Sequence, residues 1–169
     1  METTELTFKN LQRVLMQYAE TVVQQYRENL TASDRIASGE LINNITYSVQ
    51  ENGQWYEVVL TLEDYWKYVE YDTRPHFPPV SKILEWVRVK PVLPRPNANG
   101  KLPTEKQLAY LIARKISIVG TEGSHDLRDA VSLTTEQWRE KIRVALMKDL
   151  RDQLDKTLRK ITSIQERAF

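Results

Sequence analysis

Residues 65–79 constrain the fold more than any other stretch, because a short helical pattern runs directly into prolines that stop it. The stretch holds three of the chain's eight Tyr, one of its four Trp and three of its seven Pro residues. Residues 64–71 carry apolar side chains at helical spacing, enough for about two turns. Pro75 then pushes Arg74 into an extended conformation, and a Pro-Pro pair delays the next helix. We therefore predict a stiff bend that presents three candidate interface residues: Arg74, His76 and Phe77.

The periodicity of apolar residues predicts one β-hairpin among several helices. Apolar residues three and four apart in residues 8–30 predict an amphipathic helix of about six turns. Residues 42–50 and 55–62 are rich in β-branched and aromatic side chains and flank an Asn-Gly pair, which is a strong hairpin signal. Two further helices are predicted at residues 79–88 and 104–119. On the second of these, the residues predicted to be buried are Leu108, Leu111, Ile112 and Ile116.

Two capping boxes mark predicted helix starts, one at residues 104–107 and one at residues 134–137, each with Thr first and Gln fourth. After the second box no helix breaker interrupts residues 135–164, which make a helix about 45 Å long at 1.5 Å per residue. A domain of this size is narrower than that, so we expect the second half to pack on another subunit or protein. Folding back on the chain's own first helix is the alternative. Large apolar residues in near-heptad rhythm mark the seam: Met147, Leu150, Leu154, Leu158, Ile161 and Ile164.

Residues 90–104 are predicted to form an extended loop, since they hold four prolines and an Asn-Gly pair. Loops of this length inside compact domains are usually functional or disordered. Pro94 and Arg95, near the middle of the loop, are therefore candidate interface residues. Leu154 and Leu158 are the corresponding candidates on the last helix.

Together these elements predict an α+β fold, in which a small antiparallel sheet built on a β-hairpin is packed by an N-terminal helix and a central helix. A long C-terminal helix completes it. A chain of 169 residues is long enough for one domain with a core and short for two. We expect a single domain over residues 1–169, with its core at about 6–131 and the extended helix at about 134–166.

Composition argues against several classes of function. Lys and Arg number 24 against 23 Asp and Glu, so the formal charge of +1 lacks the basic bias of proteins that bind nucleic acid freely. With no Cys, the chain has no disulfides and no thiolate metal sites. The first residues are acidic where a signal peptide is basic, and no apolar run approaches the roughly 20 residues that span a bilayer. We expect a soluble chain made in the cytoplasm, with no membrane contact.

The two histidines, His76 and His125, each lie near a carboxylate in the sequence. A histidine with a carboxylate can serve as a general base or as half of a metal site. No serine elbow, metal-ligand spacing or phosphate-binding glycine loop accompanies them. We therefore predict no catalytic residue, no metal and no cofactor. A small hydrolase or nuclease that uses these two histidines is kept as an alternative.

Basic and aromatic residues near the bend leave two interpretations open. Arg74, Arg114, Lys115 and Arg128 could form a patch that faces DNA, but acidic residues lie among them, which favours pairing within the fold or across subunits. The aromatic residues of the bend could stack on bases. Packing in the core or in an interface is favoured, because Tyr, Trp and Arg are also the residues that dominate protein interfaces.

Four blocks of the chain, in this order, resemble the tail-completion family of tailed bacteriophages, which are also called head–tail joining or neck proteins. The blocks are YVEYDTRPHFPP at 68–79, LEWV at 84–87, AYLIARKI at 109–116 and GTEGSHDLRDAV at 120–131. The resemblance covers roughly residues 36–131. The chain departs from the family pattern at Asp72, where Gly is usual, and in a longer, more proline-rich segment between the second and third blocks.

The resemblance implies a structural virion protein, not an enzyme. Members of the family are small proteins that assemble as rings between the portal complex of the capsid and the tail. The implied partners are further copies of the chain, portal or adaptor proteins on the head side, and tail-tube or tail-terminator proteins on the tail side. DNA would pass through the channel without sequence-specific binding. The protein would lie in the virion neck, and in the host cytoplasm before assembly; a host-protein-binding module that uses the proline loop is a further alternative.

Overall fold

The computed structural model describes residues 8–34, 36–53, 55–90, 92–96 and 99–167, with side chains as far as residue 162. Its elements are α1 (Lys9–Ala32), α2 (Glu40–Asn43), β1 (Thr46–Asn52), β2 (Trp55–Thr61), α3 (Trp66–Glu70), α4 (Val80–Val89), α5 (Glu105–Val119) and α6 (Asp126–Arg167). The strands form one antiparallel hairpin, so the predicted α+β class is confirmed, with its N-terminal, central and long C-terminal helices. None of the helices in these ranges is long and apolar enough to cross a lipid bilayer.

Contacts divide the chain into two compact units. The first unit comprises Met1–Gln25, Thr46–Leu60 and Ala130–Phe169, and the second comprises Tyr26–Ile45 and Thr61–Asp129. The first unit therefore holds most of α1, the hairpin and most of α6. The second holds α2 to α5 and the bend.

In the hairpin of the first unit, partly buried side chains alternate with exposed ones along the first part of each strand. On β1, Tyr47 and Val49 are partly buried between exposed neighbours, and on β2 the same holds for Tyr56, while Val58 is also partly buried. The ring of Tyr56 packs edge-on against Phe8, just before α1, with 6.1 Å between the ring centroids. One face of the hairpin thus supplies apolar contacts, while the other face of β2 carries Glu57 and Thr61 together with the apolar Trp55 and Val59.

The first strand begins at Thr46, four residues later than the predicted start at residue 42. The preceding residues form the single turn α2, which follows Gly39 at a positive φ of 83°. Leu41 and Ile45, four residues apart, are 6% and 5% exposed. The strand prediction for these residues rested on the strand propensity of β-branched side chains. Burial of Leu41 and Ile45, which are spaced as in a helix, outweighs that propensity.

Two polar contacts in the first unit show that α6 runs antiparallel to α1. The hydroxyls of Tyr18 and Thr135 lie 2.8 Å apart, and the carboxylate of Asp149 bonds to Asn10 and Leu11 at the start of α1. Sequence numbers therefore fall along α1 as they rise along α6. Because Asp149 already lies at the beginning of α1, the remaining part of α6, about 27 Å at 1.5 Å per residue, extends past that helix.

Asp149 caps α1 from a distant part of the chain. Its Oδ1 accepts hydrogen bonds from the backbone and side-chain N–H groups of Asn10 at 3.1 and 2.6 Å, and its Oδ2 accepts one from the backbone N–H of Leu11 at 2.7 Å. The first N–H groups of a helix have no partner within it, and they favour a negative charge. Burial alone would raise the pKa of Asp149, but the bonds from Leu11 and Asn10 outweigh burial, so this pKa is lowered.

The helix α6 begins at Asp126, so the predicted start at the capping box of residues 134–137 is wrong. Thr134 lies inside the helix, where it is 1% exposed and its Oγ1 donates to the carbonyl oxygen of Ala130 at 2.6 Å. A Thr hydroxyl that bonds one turn back is compatible with a helix interior. The other box is confirmed: the Thr104 hydroxyl accepts from the Gln107 N–H, and the Gln107 side chain accepts from the Thr104 N–H.

In the second unit α4 packs against α5. Ala109 and Ala113, four residues apart on α5, are fully buried. Small side chains at these positions allow a neighbouring helix to approach closely. The predicted burial of Leu111 is wrong, since it is 50% exposed, while the other three residues predicted to be buried are partly so. The buried face of α5 is the one that carries Ala109 and Ala113, so Leu111 points toward solvent.

Replacing Asp149 by Asn is expected to lower the free energy of unfolding by about 1–2 kcal/mol at neutral pH, because the amide cannot accept at both oxygen positions. The exposed Asp152, on the same helix, supplies the control Asp152→Asn, with an effect below about 0.5 kcal/mol. Urea unfolding of the three chains measures both effects.

The lowered pKa of Asp149 fixes how that difference depends on pH. Its stabilising contribution is complete above the unfolded-state pKa of about 3.9 and is lost as pH falls through the lower folded-state value. The gap between the parent chain and Asp149→Asn should therefore close at acid pH. A gap of constant size down to about pH 2.5 would contradict the assignment of this cap.

Candidate assembly surfaces

The first and last of the four resembling blocks contact each other through their backbones. Thr73 and Thr121 form an antiparallel bridge, with the N–H of Thr73 donating to the carbonyl of Thr121 at 2.9 Å and 2.7 Å between their hydroxyl oxygens. The N–H of Ser124 donates to a carbonyl of the first segment at 2.8 Å. We call the paired segments, residues 69–74 and 120–125, the clasp.

Two glycines allow the clasp to close. A Cβ placed on Gly120 would lie 2.0 Å from the carbonyl oxygen of Thr73, and a Cβ on Gly123 would lie 2.4 Å from the carbonyl oxygen of Glu70. Gly120 also has φ 75° and ψ −160°, a backbone conformation that residues with a Cβ rarely adopt. Both positions require glycine because another backbone occupies the space of a side chain.

The side chain of Glu70 joins the clasp to the start of α6. It is 1% exposed, and its two carboxylate oxygens accept hydrogen bonds from the backbone N–H groups of Leu127 and Arg128 at 2.9 and 3.0 Å. This carboxylate performs the capping role that the sequence assigned to residue 134. Sequence reasoning missed it because no local signal marks a cap whose acceptor lies 57 residues before the capped Leu127.

The end of α1 also holds this helix start, within the second unit. The side-chain amide of Asn29 donates to the Asp126 carbonyl at 2.9 Å, and the hydroxyl of Ser33 donates to the Asp126 carboxylate at 2.7 Å. The hydroxyl of Tyr26 is buried without a hydrogen-bond partner in the described part of the chain. Burial raises the pKa of Tyr26, and the charges of Glu70 and Asp126 raise it further, so its phenol stays neutral at physiological pH.

The two histidines have different partners. His76 is exposed, and its Nδ1 lies 2.8 Å from the carbonyl oxygen of Arg74. Nε2 of His125 lies 3.8 Å from Oδ1 of Asp72, and the same oxygen accepts the Gly123 N–H at 2.7 Å. The described residues contain no group of three or more His, Cys, Asp or Glu side chains that could hold a metal ion. Asp72, which stands where the resembled family usually has Gly, helps to close the clasp because its carboxylate accepts the hydrogen bond from Gly123.

The bend exposes its three predicted side chains, Arg74, His76 and Phe77. Phe77 is 54% exposed, and its ring packs against that of Tyr110 on α5 with 6.1 Å between centroids. In the neighbouring loop Pro94 is partly buried and Arg95 is exposed. The described residues of that loop, 92–96 and 99–104, form neither helix nor strand. Nothing in these positions tests their predicted role in an interface, which stays a prediction.

Of the four basic residues near the bend, only Arg128 has an acidic partner, the exposed Asp129 at 3.3 Å. Arg74, Arg114 and Lys115 are exposed and form no ion pair with any residue in the described ranges. The predicted pairing within the fold therefore holds for Arg128 alone. The other three cations are available to a partner.

The part of α6 beyond Asp149, residues 150–167, is named the arm. Leu154 and Leu158 are 64% and 60% exposed, and three other members of the predicted seam are exposed too: Met147, Leu150 and Ile161. The side chain of Ile164 lies outside the described ones. At 100° per residue Leu154 and Leu158 point roughly 140° and 180° away from Asp149. The seam therefore faces away from α1, and the alternative that it folds back on the first helix is not what the structure shows.

An open cavity of about 820 Å³ lies in the second unit. Its interior includes the buried Leu30 and Leu41, and its mouth includes exposed large side chains, among them Tyr68, Trp86 and Val119. We call this cavity the groove. The sequence did not reveal the groove because its walls come from α1 to α5, and only the packing of those helices encloses the space.

Comparisons with protein-family models, with curated proteins and with solved structures find no match. The surfaces of the chain and the resemblance of its four blocks are therefore the basis for inferring its function. The surfaces concerned are the bend, the seam on the arm and the groove.

Gly123→Ala is expected to destabilise the second unit severely, by more than about 3 kcal/mol, because the new methyl group collides with backbone atoms of the clasp. The control is Gly100→Ala, which has φ 73° but no atom within 4 Å of the added Cβ. The control carries only the conformational cost, about 1–2 kcal/mol. Thermal and urea unfolding measure both, and equal losses in the two variants would show that the clasp is not tightly packed.

Proposed function

We propose that this chain is a structural virion protein of a tailed bacteriophage, which forms a ring in the neck and joins the DNA-filled head to the tail. The observation that carries the proposal is the exposed seam on the arm, which extends past the N-terminal end of α1. Soluble monomers rarely expose contiguous apolar patches of this kind unless the patch binds something. The resemblance of the four blocks to tail-completion proteins supports the identity of that partner as further copies of the chain.

The size of the seam favours assembly over a transient contact. Five side chains that are 38–64% exposed present about 500 Å², against about 800 Å² per partner in a standard interface. Burying that area contributes on the order of 10 kcal/mol. The loss of translational and rotational freedom costs a comparable amount. A stable ring therefore needs at least one more surface besides the seam.

The bend is the second surface that the proposal uses. Three prolines stiffen it, so few conformations are lost when a partner binds. Phe77 and Tyr110 present a pair of half-exposed aromatic rings. Arg74, three residues before Phe77, is exposed and forms no ion pair with any described residue. Aromatic residues and Arg are the types most often found at the energetic centre of an interface. The partners we propose for the bend are the portal or adaptor proteins and the tail-tube or terminator proteins. DNA would pass through the ring without sequence-specific binding.

Leu154→Glu together with Leu158→Glu is expected to abolish self-assembly and leave the monomer folded, because both side chains are exposed in the single chain. The control, Lys156→Gln with Arg159→Gln, changes the net charge by the same −2 on the opposite face of the arm and should assemble normally. Native mass spectrometry measures assembly, and thermal unfolding measures the fold.

Two outcomes of that experiment would contradict the proposal. Unchanged assembly of the glutamate variant would show that the seam is not an interface. A lowered melting temperature of the isolated glutamate variant, with the control unaffected, would show that the seam belongs to the chain's own packing.

Phe77→Ala is expected to reduce the joining of tails to heads at least several-fold while the free energy of unfolding changes by less than about 1 kcal/mol. Trp55→Ala is the control, since Trp55 is an equally exposed aromatic residue, 55% against 54%, on the hairpin. Counting joined particles by electron microscopy after complementation with each variant measures the effect. Unfolding of the Phe77→Ala chain would place the residue in the core instead.

A further inference from the structure

We propose that the groove of one copy receives the arm of the neighbouring copy. This inference rests on the proposed ring and names the pair of surfaces that closes it. In the single chain the seam on the arm is exposed and the groove is open.

Symmetry favours two different surfaces over one. A ring of identical subunits is built from heterologous contacts, in which every copy offers one surface and accepts another. Packing of arm against arm about a two-fold axis would be an isologous contact, which closes a dimer and leaves both grooves open. A convex apolar seam and a concave apolar groove on the same chain supply the two halves of a heterologous contact.

The spacing of the seam fits binding of a helix in a groove. Leu154, Leu158 and Ile161 stand at positions i, i+4 and i+7, which is the anchor pattern of amphipathic helices bound in apolar grooves. The mouth of the groove carries the aromatic rings of Tyr68 and Trp86, 68% and 40% exposed. Filling a space of 820 Å³ would also release on the order of 25 waters from apolar walls.

The charges at the two surfaces are complementary. Lys115 and Glu122 line the groove, and neither has an ion-pair partner among the described residues. The third charged side chain of the groove, Lys90, is already paired with Asp34 at 3.4 Å. On the arm, Arg151 and Asp155 are exposed next to the seam. Of the exposed charges on the arm, these two lie nearest the seam, so pairing of Lys115 with Asp155 and of Glu122 with Arg151 is open to a docked arm.

Disulfide trapping tests the inference directly, because the chain contains no Cys. One variant carries Leu158→Cys on the seam, and a second carries Val119→Cys at the mouth of the groove, where Val119 is 63% exposed. The two variants are mixed in equal amounts at a concentration where the parent chain assembles, oxidised, and resolved on a non-reducing gel. In the control mixture Lys156→Cys replaces Leu158→Cys; Lys156 is exposed and lies about 160° around the helix from Leu158.

The expected result is a disulfide-linked dimer of Leu158→Cys with Val119→Cys, at least five-fold more abundant than in the control mixture. Dimers of Leu158→Cys with itself would show that arms pair with arms, which overturns the inference and leaves self-assembly intact. A chain that carries both substitutions and closes an internal disulfide as a monomer would show that the arm fills its own groove. If native mass spectrometry shows assembly but no cross-link forms, the claim that the groove receives the arm is wrong and the ring still stands. If neither assembly nor a cross-link is found, the proposed ring is contradicted as well.

Discussion

The buried carboxylate of Glu70 at the start of α6 is the interaction on which the second unit depends. A carboxylate that is 1% exposed is costly to bury unless hydrogen bonds compensate for its lost hydration. Here two backbone N–H groups and the positive end of a helix supply that compensation. The same contact satisfies donors that the first turn of α6 cannot pair internally. Glu70 also belongs to the clasp, so one side chain ties the backbone pairing of two resembling blocks to the point where the longest helix begins.

Asp149 repeats this arrangement in the first unit, where a carboxylate on α6 caps the first turn of α1. The two caps divide α6 into parts with different roles. Between Ala130 and Asp149 the helix has buried positions and contacts with α1. Beyond Asp149 the apolar residues Leu150, Leu154, Leu158 and Ile161 are exposed and turn away from α1. The helix is therefore packed on α1 before Asp149 and exposes its apolar seam beyond it. This arrangement is suited to binding a neighbouring subunit, so the proposed function depends on the arm.

Features encoded within a few residues could be predicted from the sequence, whereas those that depend on distant residues could not. The Asn-Gly hairpin, the Thr104 capping box and the exposed bend each follow from side chains close to one another in the chain. The predicted start of the last helix at Thr134 was wrong because residues 134–137 match a capping box in sequence, whereas Glu70 provides the actual cap of the helix, which begins at Asp126. Leu111 misled it because Ala109 and Ala113 set the buried face of α5. The groove could not be foreseen, since five helices enclose it and no single stretch of sequence marks it.

Hydrogen exchange of backbone amides, compared between the free chain and assembled particles, tests the central claim that the arm is covered only by assembly. In the free chain we predict rapid exchange along residues 150–162 and slower exchange along residues 134–149, because local helix stability follows packing. On assembly, protection should rise in the arm and leave residues 134–146, which precede the seam, unchanged. Equal protection of the arm in both states would contradict this account, because it would mean that the seam is already buried in the isolated chain.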